Sequence, residues 1–492
     1  MEAVTIIIDG KTYSVPREIT ILEAASLNSI HIPTLCTLKG IDPKANCRLC
    51  VVEIEKSRTF MPACATNVSD GMVIRTNTPS LRRSRKHTLE LLLSRHSVDC
   101  HHCLRIGSSK CEDLDPTFCE MCFFCDCVRD GICELQALAR EYQIDVLPYK
   151  IDSCRYPIDD STETVIRNPN KCIKCRRCVD ICCEVQAVNA LSVINRGKDI
   201  QIMPEMGKPL ADSPCVQCGR CGQVCPTGAI HEMEHKDEVI YFAHQYGMTT
   251  IAQISFDVLK ELEALAGLAS GELDIRVVAS GLKKIGVDVV VSDKFASSMA
   301  KSQAIKSLRE CIGHTKQPII ITSSYATKQF INKEFASFNN RIITYPSPQQ
   351  AFSSYITDIW SQTQQLDVAN IRTISVTATN ENAAEAARNN SVDYVINARE
   401  LYRIFMRTGV NLKQWTACEL DSFGEEECEV SEFDELLEMV EWKIDSNIKK
   451  FEFTVDEKRI KAAIGITLGH TRILLEQVNS NQSPYTVIRV CA

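Results

Sequence analysis

The 492-residue sequence has no apolar run approaching the ~18 consecutive residues of a membrane-spanning helix, so no membrane span is expected. It also has no surplus of basic residues. Lys and Arg number 55 against 63 Asp and Glu, a net charge of −8, which argues against a nucleic-acid binder with its basic face. Its first nine residues, Met-Glu-Ala-Val-Thr-Ile-Ile-Ile-Asp, lack the basic start and cleavage site of a secretory signal, so a cytoplasmic protein is expected. Neither a G-x-G-x-x-G turn nor a P-loop is found, so no nucleotide-binding site is expected on this chain. Apolar residues are not in deficit. At 45% hydrophobic and 24% charged the composition is globular, and the length suits about three domains of ~150 residues.

Cysteine is nearly absent beyond residue 226. The 22 cysteines before that point, of 26 in all, decide the class. A disulfide framework suits a small secreted domain, not a large chain without a signal, so the cysteines point to metal. Cys172-x2-Cys175-x2-Cys178-x3-Cys182 is followed by Cys215-x2-Cys218-x2-Cys221-x3-Cys225-Pro226. In such a two-cluster ferredoxin run, three thiolates of one loop hold a cubane and the fourth reaches across to the other cluster. One [4Fe–4S] cluster is therefore assigned to Cys172, Cys175, Cys178 and Cys225. A second goes to Cys215, Cys218, Cys221 and Cys182. Zinc, which uses two CxxC halves per metal, is disfavoured by the three-plus-one runs. Cys183 and Cys154 read as buried spares.

Nearer the N-terminus, Cys36-x10-Cys47-x2-Cys50-x13-Cys64 places four thiolates in a β-rich segment. They fit one [2Fe–2S] cluster, with a four-cysteine zinc site as the alternative. A third set runs His96-x3-Cys100-x2-Cys103 and is closed by Cys127-x5-Cys133. Between these halves, Cys119-x2-Cys122-x2-Cys125 repeats the cubane-loop spacing, with Cys111 upstream. A fourth [4Fe–4S] cluster on Cys111, Cys119, Cys122 and Cys125, with Cys127 as alternative ligand, stands open beside zinc and redox-inert thiols.

The expected organisation is α+β iron–sulfur modules followed by an α/β domain. Residues 1–80 read as a β-grasp [2Fe–2S] ferredoxin-like domain, with strands Val4–Ile8 and Thr12–Val15 joined at Asp9-Gly10 and a helix Ile21–Ser29. Residues 81–140 form a His/Cys module opened by a helix Leu81–Ser94, and 141–235 a two-[4Fe–4S] domain. From 240 to 492, strands Val287–Ser292, Pro318–Thr322, Arg372–Thr377 and Val392–Asn397 alternate with helices Ser297–Arg309, Pro348–Gln362 and Asn382–Asn389. One largely parallel sheet is expected there. The acidic 423–442 segment reads as a solvated face.

These motifs resemble a known family. The Cys36/47/50/64 spacing, His96-Ser-Val-Asp-Cys100, Cys133-Glu-Leu-Gln136 and the double ferredoxin run are similar to the electron-input half of [FeFe]-hydrogenase large subunits and to the start of the large Fe–S subunit of respiratory complex I. The resemblance makes His96, Cys100, Cys103 and Cys133 the ligands of a third [4Fe–4S] cluster. It leaves open whether Cys103 or Cys127 is the middle thiolate, because about 24 residues are inserted between them. The C-terminal half resembles the hydrogenase catalytic domain with its ligands removed. Ser324, within Thr322-Ser323-Ser324-Tyr325, stands where the family has a cysteine, and Val376 stands where it has another. Ser347-Pro-Gln-Gln350 and Ala398-Arg-Glu-Leu401 match family landmarks, whereas the final two-cysteine motif has no counterpart; Cys311, Cys418, Cys428 and Cys491 cannot rebuild the site.

The resemblance implies an electron-transfer subunit with no catalytic residue of its own, in a flavin-based electron-bifurcating oxidoreductase that links NAD(H), ferredoxin and NADP(H). Its implied partners are a flavin/NADH-binding Fe–S subunit, a small [2Fe–2S] subunit, an NADP-binding flavoprotein and ferredoxin. The alternative is the wiring chain of a nickel–iron hydrogenase or formate dehydrogenase. A redox-sensing scaffold is a different class, which the ordered series of cluster types argues against.

Overall fold

The computed structural model describes residues 3–96, 127–129, 131–144, 148–149, 156–243, 245–311, 318–378, 380–423, 448–455, 458–465, 467–480, 483–485 and 487–490. Cys100, Cys103, Cys111, Cys119, Cys122, Cys125, Cys154, Cys428, Cys491 and most of the acidic segment lie outside these residues.

Strands Ala3–Ile8 and Lys11–Pro16 pair antiparallel around Asp9-Gly10, both at positive φ, the twist a two-residue hairpin needs. Strand Ala3–Ile8 alternates faces, so Val4, Ile6 and Ile8 enter the core. It then pairs in parallel with Val73–Arg75, which continues to Val51–Ile54 and Met61–Pro62. Helix Ile21–Leu27 starts at a capping box, with Thr20 and Glu23 each satisfying the other's backbone N–H, and buries Ile21, Ala24 and Ala25 against this sheet. It ends two residues before the sequence-based expectation, because Ser29 is left-handed.

Helix Pro79–Arg95 is capped by Thr78 and leads out of this domain. Its Arg85 is buried and donates to the carbonyls of Leu49 (3.0 Å), Val51 (2.8 Å) and Thr76 (2.9 Å). One guanidinium thus ties the helix to the Cys47–Cys50 loop.

The next module is built from two antiparallel strand pairs, Val165–Arg167 with Ile230–Glu232 and Ser192–Ile194 with Gln201–Met203. Two short helices, Arg177–Asp180 and Arg220–Gln223, follow the two cysteine loops.

Beyond residue 240 the strands form two sheets, not the single one expected. The first is all parallel, ordered Val289–Ser292, Thr249–Ile254, Ile371–Thr377, Tyr394–Asn397. Its core includes Val278, Leu282, Ile374, Val376, Leu401 and Phe405. The second is ordered Ile342–Thr344, Ile319–Thr322, Val487–Val490, Lys458–Gly465, Lys449–Val455, and only its last pair is antiparallel. Lys449–Val455 and Lys458–Gly465 each carry three charged residues, which hides them from a search for continuous apolar strands. Helix Lys294–Cys311 starts three residues before the expected Ser297, and Pro348–Tyr355 runs on through a π-turn, Ile356–Trp360.

The α/β domain grips the two-loop module through polar contacts. Asn397 Nδ2 donates to Glu232 Oε1 at 2.7 Å, and Arg399 Nη2 to the Gln223 carbonyl at 2.6 Å. Arg403 pairs with Glu234, and Lys333 Nζ donates to the Cys215 carbonyl at 2.7 Å. Burial alone would raise the pKa of Glu232, but Arg129, Arg399 and the Asn397 amide override it and hold the carboxyl at about 2.

Candidate iron–sulfur centres

Both loops of the double run have the same local geometry. In the first, Lys174 and Arg176 have φ of 60° and 72°; in the second, Gln217 and Gly219 have 57° and 71°. Left-handed residues at alternate positions curl each loop so that its three cysteines line one cavity. The backbone N–H of Lys174 lies 3.4 Å from Cys172 Sγ, and that of Gln217 lies 3.4 Å from Cys215 Sγ. Such N–H donors stabilise a thiolate.

The two loops close two separate cavities. Cys172, Cys175, Cys178 and Cys225 line one of about 410 Å³, with Ile173, Ile202 and Ile230. Cys215, Cys218, Cys221 and Cys182 line the other, about 380 Å³, with Val165, Val188 and Leu210. The cavities are alike in size and lining, and each takes its fourth sulfur from the opposite loop. Burial pushes the thiols up, Cys172 and Cys215 to about 11 and Cys218 to about 12. Four thiols lining one largely apolar cavity suit a bound cationic metal core, which supplies the positive charge that thiolates need there.

The N-terminal four also converge. Cys36 hydrogen-bonds Cys47 and Cys50 hydrogen-bonds Cys64, which lowers Cys47 to about 6 and Cys64 to about 7 while raising their partners. Arg48, inside the Cys47–Cys50 loop, is left-handed, as in the longer runs. All four cysteines are buried.

His96 follows the last turn of helix Pro79–Arg95. It is buried, and its Nδ1 has no hydrogen-bond partner among the described residues. A buried imidazole nitrogen without a partner suits a metal ligand better than a satisfied core histidine. Cys133, the other described member of this set, caps helix Glu134–Glu141 and lies 3.6 Å from the Pro226 carbonyl. Its neighbours Cys100 and Cys103 lie outside the described residues, as do Cys111, Cys119, Cys122 and Cys125. Cys127 is buried.

The centres adjoin one another. Cys36, Cys47, Cys133 and Cys175 share one apolar cluster with Leu35, Leu89 and Leu135. Cys178 belongs to the next, against which Cys172, Cys215, Cys221 and Cys225 pack, and Cys182 and Cys218 border a third. Asn46 Nδ2 reaches the Cys175 carbonyl at 3.5 Å, and Arg177 pairs with Glu134 at 2.7 Å. Sequence reasoning missed Arg85 and Arg177 as linking residues, because neither is a defining position of a motif. It also placed Cys183 wrongly. Cys183 is exposed, because the π-turn Ile181–Val185 directs Cys182 inward and its neighbour to solvent.

Ser324 has a local role. It caps helix Tyr325–Glu334, accepting from the Thr327 N–H at 3.1 Å and donating to Glu381 Oε2 at 2.7 Å. Glu381 also accepts from the Ala326 N–H at 3.1 Å, so one carboxylate and one hydroxyl satisfy two otherwise orphaned helix donors. Val376 is fully buried in a strand between Ile254 and Ile396 and packs in the core. Cys418 packs against that same core, and Cys311 ends helix Lys294–Cys311. Ser324→Ala should lower stability by about 1 kcal/mol through the lost cap, read as a fall in the thermal midpoint of the C-terminal domain. An unchanged midpoint would show that Glu381 caps the helix alone.

Comparison with known proteins follows the same division. Residues 1–79 match the 2Fe-2S iron-sulfur cluster binding domain, residues 171–229 the 4Fe-4S dicluster domain, and residues 248–492 the iron only hydrogenase large subunit, C-terminal domain. The NADP-reducing hydrogenase subunit HndD of Solidesulfovibrio fructosivorans is 33% identical over 84% of this chain and 69% of its own. Iron hydrogenase 1 of Clostridium pasteurianum is 25% identical over 81% of this chain and 67% of its own. The NADPH-Fe(3+) oxidoreductase subunit alpha of Geobacter sulfurreducens is 37% identical over 46% of this chain, a match that spans about a quarter of that protein's length. No helix among the described residues is long and apolar enough to cross a membrane. The chain therefore belongs to the iron-only hydrogenase large-subunit family, with 2Fe–2S and 4Fe–4S cluster-binding domains ahead of a hydrogenase-type α/β domain.

Proposed function

We propose that this chain is the electron-transfer subunit of an NAD(P)-linked oxidoreductase complex and does no hydrogen chemistry of its own. The observation that carries this reading is the series of adjoining cysteine sets among the described residues, beside a hydrogenase-type domain whose Ser324 is committed to a helix cap. Bound clusters would supply one-electron redox centres. The chain's own residues set their surroundings. Apolar side chains exclude water from both four-cysteine cavities, loop N–H groups stabilise the thiolates, and Leu35, Leu89 and Leu135 pack the space between neighbouring sets.

Serine and valine are not soft thiolate donors, so Ser324 and Val376 cannot anchor the hydrogen-activating cluster. Cys172, Cys175, Cys178 and Cys225 would hold one [4Fe–4S] cluster, and Cys215, Cys218, Cys221 and Cys182 a second. Cys36, Cys47, Cys50 and Cys64 would hold the [2Fe–2S] cluster, and His96 with Cys133 part of a third [4Fe–4S]. The names of the relatives, an NADP-reducing hydrogenase subunit and an NADPH–Fe(3+) oxidoreductase subunit, support NAD(P)H as the partner couple. On this reading the flavins and nucleotides sit on partner subunits, and the complex bifurcates electrons among NAD(H), ferredoxin and NADP(H).

Two measurements test this. The anaerobically reconstituted chain, given reduced methyl viologen, should evolve no hydrogen above buffer; evolution would overturn the reading. An anaerobic native pull-down should recover one NAD-type and one NADP-type flavoprotein. Nickel–iron or molybdenum subunits instead would make it the wiring chain of a different terminal enzyme.

A further inference from the structure

We propose that the groove between the N-terminal sheet domain and helix Pro79–Arg95 is the docking site of a small acidic electron-carrier protein. This rests on the electron-transfer reading above and names the partner for its first centre. Residues 1–96 carry 13 Lys and Arg against 9 Asp and Glu, a net +4 inside a chain of net −8. The groove concentrates that charge, with Arg82, Arg83, Arg85 and Lys86 along one wall and His31 on the other. Among the described residues no carboxylate pairs with Arg82, Arg83 or Lys86. Arg82 donates to Asn77 at 3.0 Å and Lys86 to the Gln143 carbonyl at 3.1 Å, which are neutral acceptors. Of the two acids at the groove, Asp9 is engaged by the Thr76 N–H and hydroxyl, and Glu141 lies 4.0 Å from His31. Its four lining Arg and Lys outnumber its two carboxylates, so the groove keeps a surplus of positive charge that steers an acidic surface toward it.

Position adds the second argument. Arg85 lines the groove and also donates to the Leu49 carbonyl, between Cys47 and Cys50. A protein seated here is separated from the Cys47–Cys50 loop by little more than that one side chain. A nucleotide is the poorer fit. The groove is open, and no glycine-rich turn lines it to cradle a phosphate.

The test uses the reconstituted full chain and a reduced acidic two-[4Fe–4S] bacterial ferredoxin as donor. Electron uptake is followed by stopped flow and taken as a ratio to uptake from photoreduced 5-deazariboflavin, a small reductant. The wild-type rate should fall about tenfold or more between low and moderate salt, as steered association does. Arg82→Glu/Arg83→Glu/Lys86→Glu should lower the low-salt rate about 10- to 100-fold and flatten the salt dependence. Glu141→Gln, which removes a negative charge from the groove, should raise it. Iron content equal to wild type shows that the variants are loaded. A salt-independent rate, or a triple variant as fast as wild type, would overturn the docking site while leaving the electron-transfer reading intact. So would NADPH binding that the triple variant loses, which would make the groove a nucleotide site. A wild type that takes electrons from deazaflavin but not from the ferredoxin at any salt would overturn the docking site alone, and one that takes them from neither would overturn both.

Discussion

Cys225→Ser is expected to remove the [4Fe–4S] cluster of the Cys172–Cys178 loop while leaving that of its own loop in place. Cys182→Ser should do the reverse. The reason is geometric. Cys225 lines the cavity of Cys172, Cys175 and Cys178, and Cys182 lines that of Cys215, Cys218 and Cys221. A hard hydroxyl replaces one of four soft thiolates, so each variant should lose about four irons or retain a three-iron cluster. Iron analysis gives the loss, and anaerobic EPR of the double variants with a loop cysteine locates it. Cys225→Ser combined with Cys175→Ser should lose no more iron than either alone. Cys225→Ser combined with Cys218→Ser should lose twice as much. Additivity in the first pair would show that each run binds its own cluster, contrary to the observed grouping of sulfurs. On the proposed series arrangement, electron flow through the chain should fall in either single variant.

Gly469→Ala should cause a clear loss of stability at the junction of the two halves. Gly469 opens helix Leu468–Asn479, where the Leu468 N–H donates to Gln186 Oε1 at 3.0 Å. A methyl on Gly469 would overlap the backbone carbonyl oxygen of Val185, which has no flexible end to swing away. Forced shifts of this kind cost about 1–3 kcal/mol. Val185 closes the turn that carries Cys182, so the strain should also reach the second cavity. We expect a lower thermal midpoint together with an altered EPR signal from the cluster assigned to Cys215. Ile473→Ala, at an exposed position of the same helix, should stay within about 0.5 kcal/mol. Equal midpoints for the two variants would show that the junction can yield.

Much of the candidate chemistry was legible because ligand spacing is a local property. Three thiols separated by two residues each can line one cavity whatever the rest of the chain does, as Cys172, Cys175 and Cys178 do. The hairpin at Asp9-Gly10 and the helices opened by Thr20, Thr78 and Ser347 were equally local, since caps and tight turns depend on a few neighbouring residues. Cys183 shows where this fails. Beside Cys182 it looked like a second inward sulfur, but one π-turn puts consecutive residues on opposite sides. The second C-terminal sheet failed for another reason. It joins Ile319–Thr322 to Val487–Val490, some 170 residues away, and its outer hairpin has too many lysines to read as buried.

Ser324 illustrates the same limit at a functional position. The resemblance alone is what sets it in place of a cysteine. That its hydroxyl bonds Glu381, 57 residues on, depends on how two helices meet.

By itself, then, the sequence determined the cysteine spacings, the order of the cysteine sets along the chain and the expected exchange of the fourth sulfur between the two runs, because these follow from residue identity and short separations. Only the tertiary structure decided that Cys183 faces solvent, that Arg85 links a basic groove to the Cys47–Cys50 loop, and that the cysteine sets adjoin through shared apolar clusters. Those facts depend on side chains brought together from distant segments by burial, and burial is a property of the whole packed chain rather than of any stretch of it.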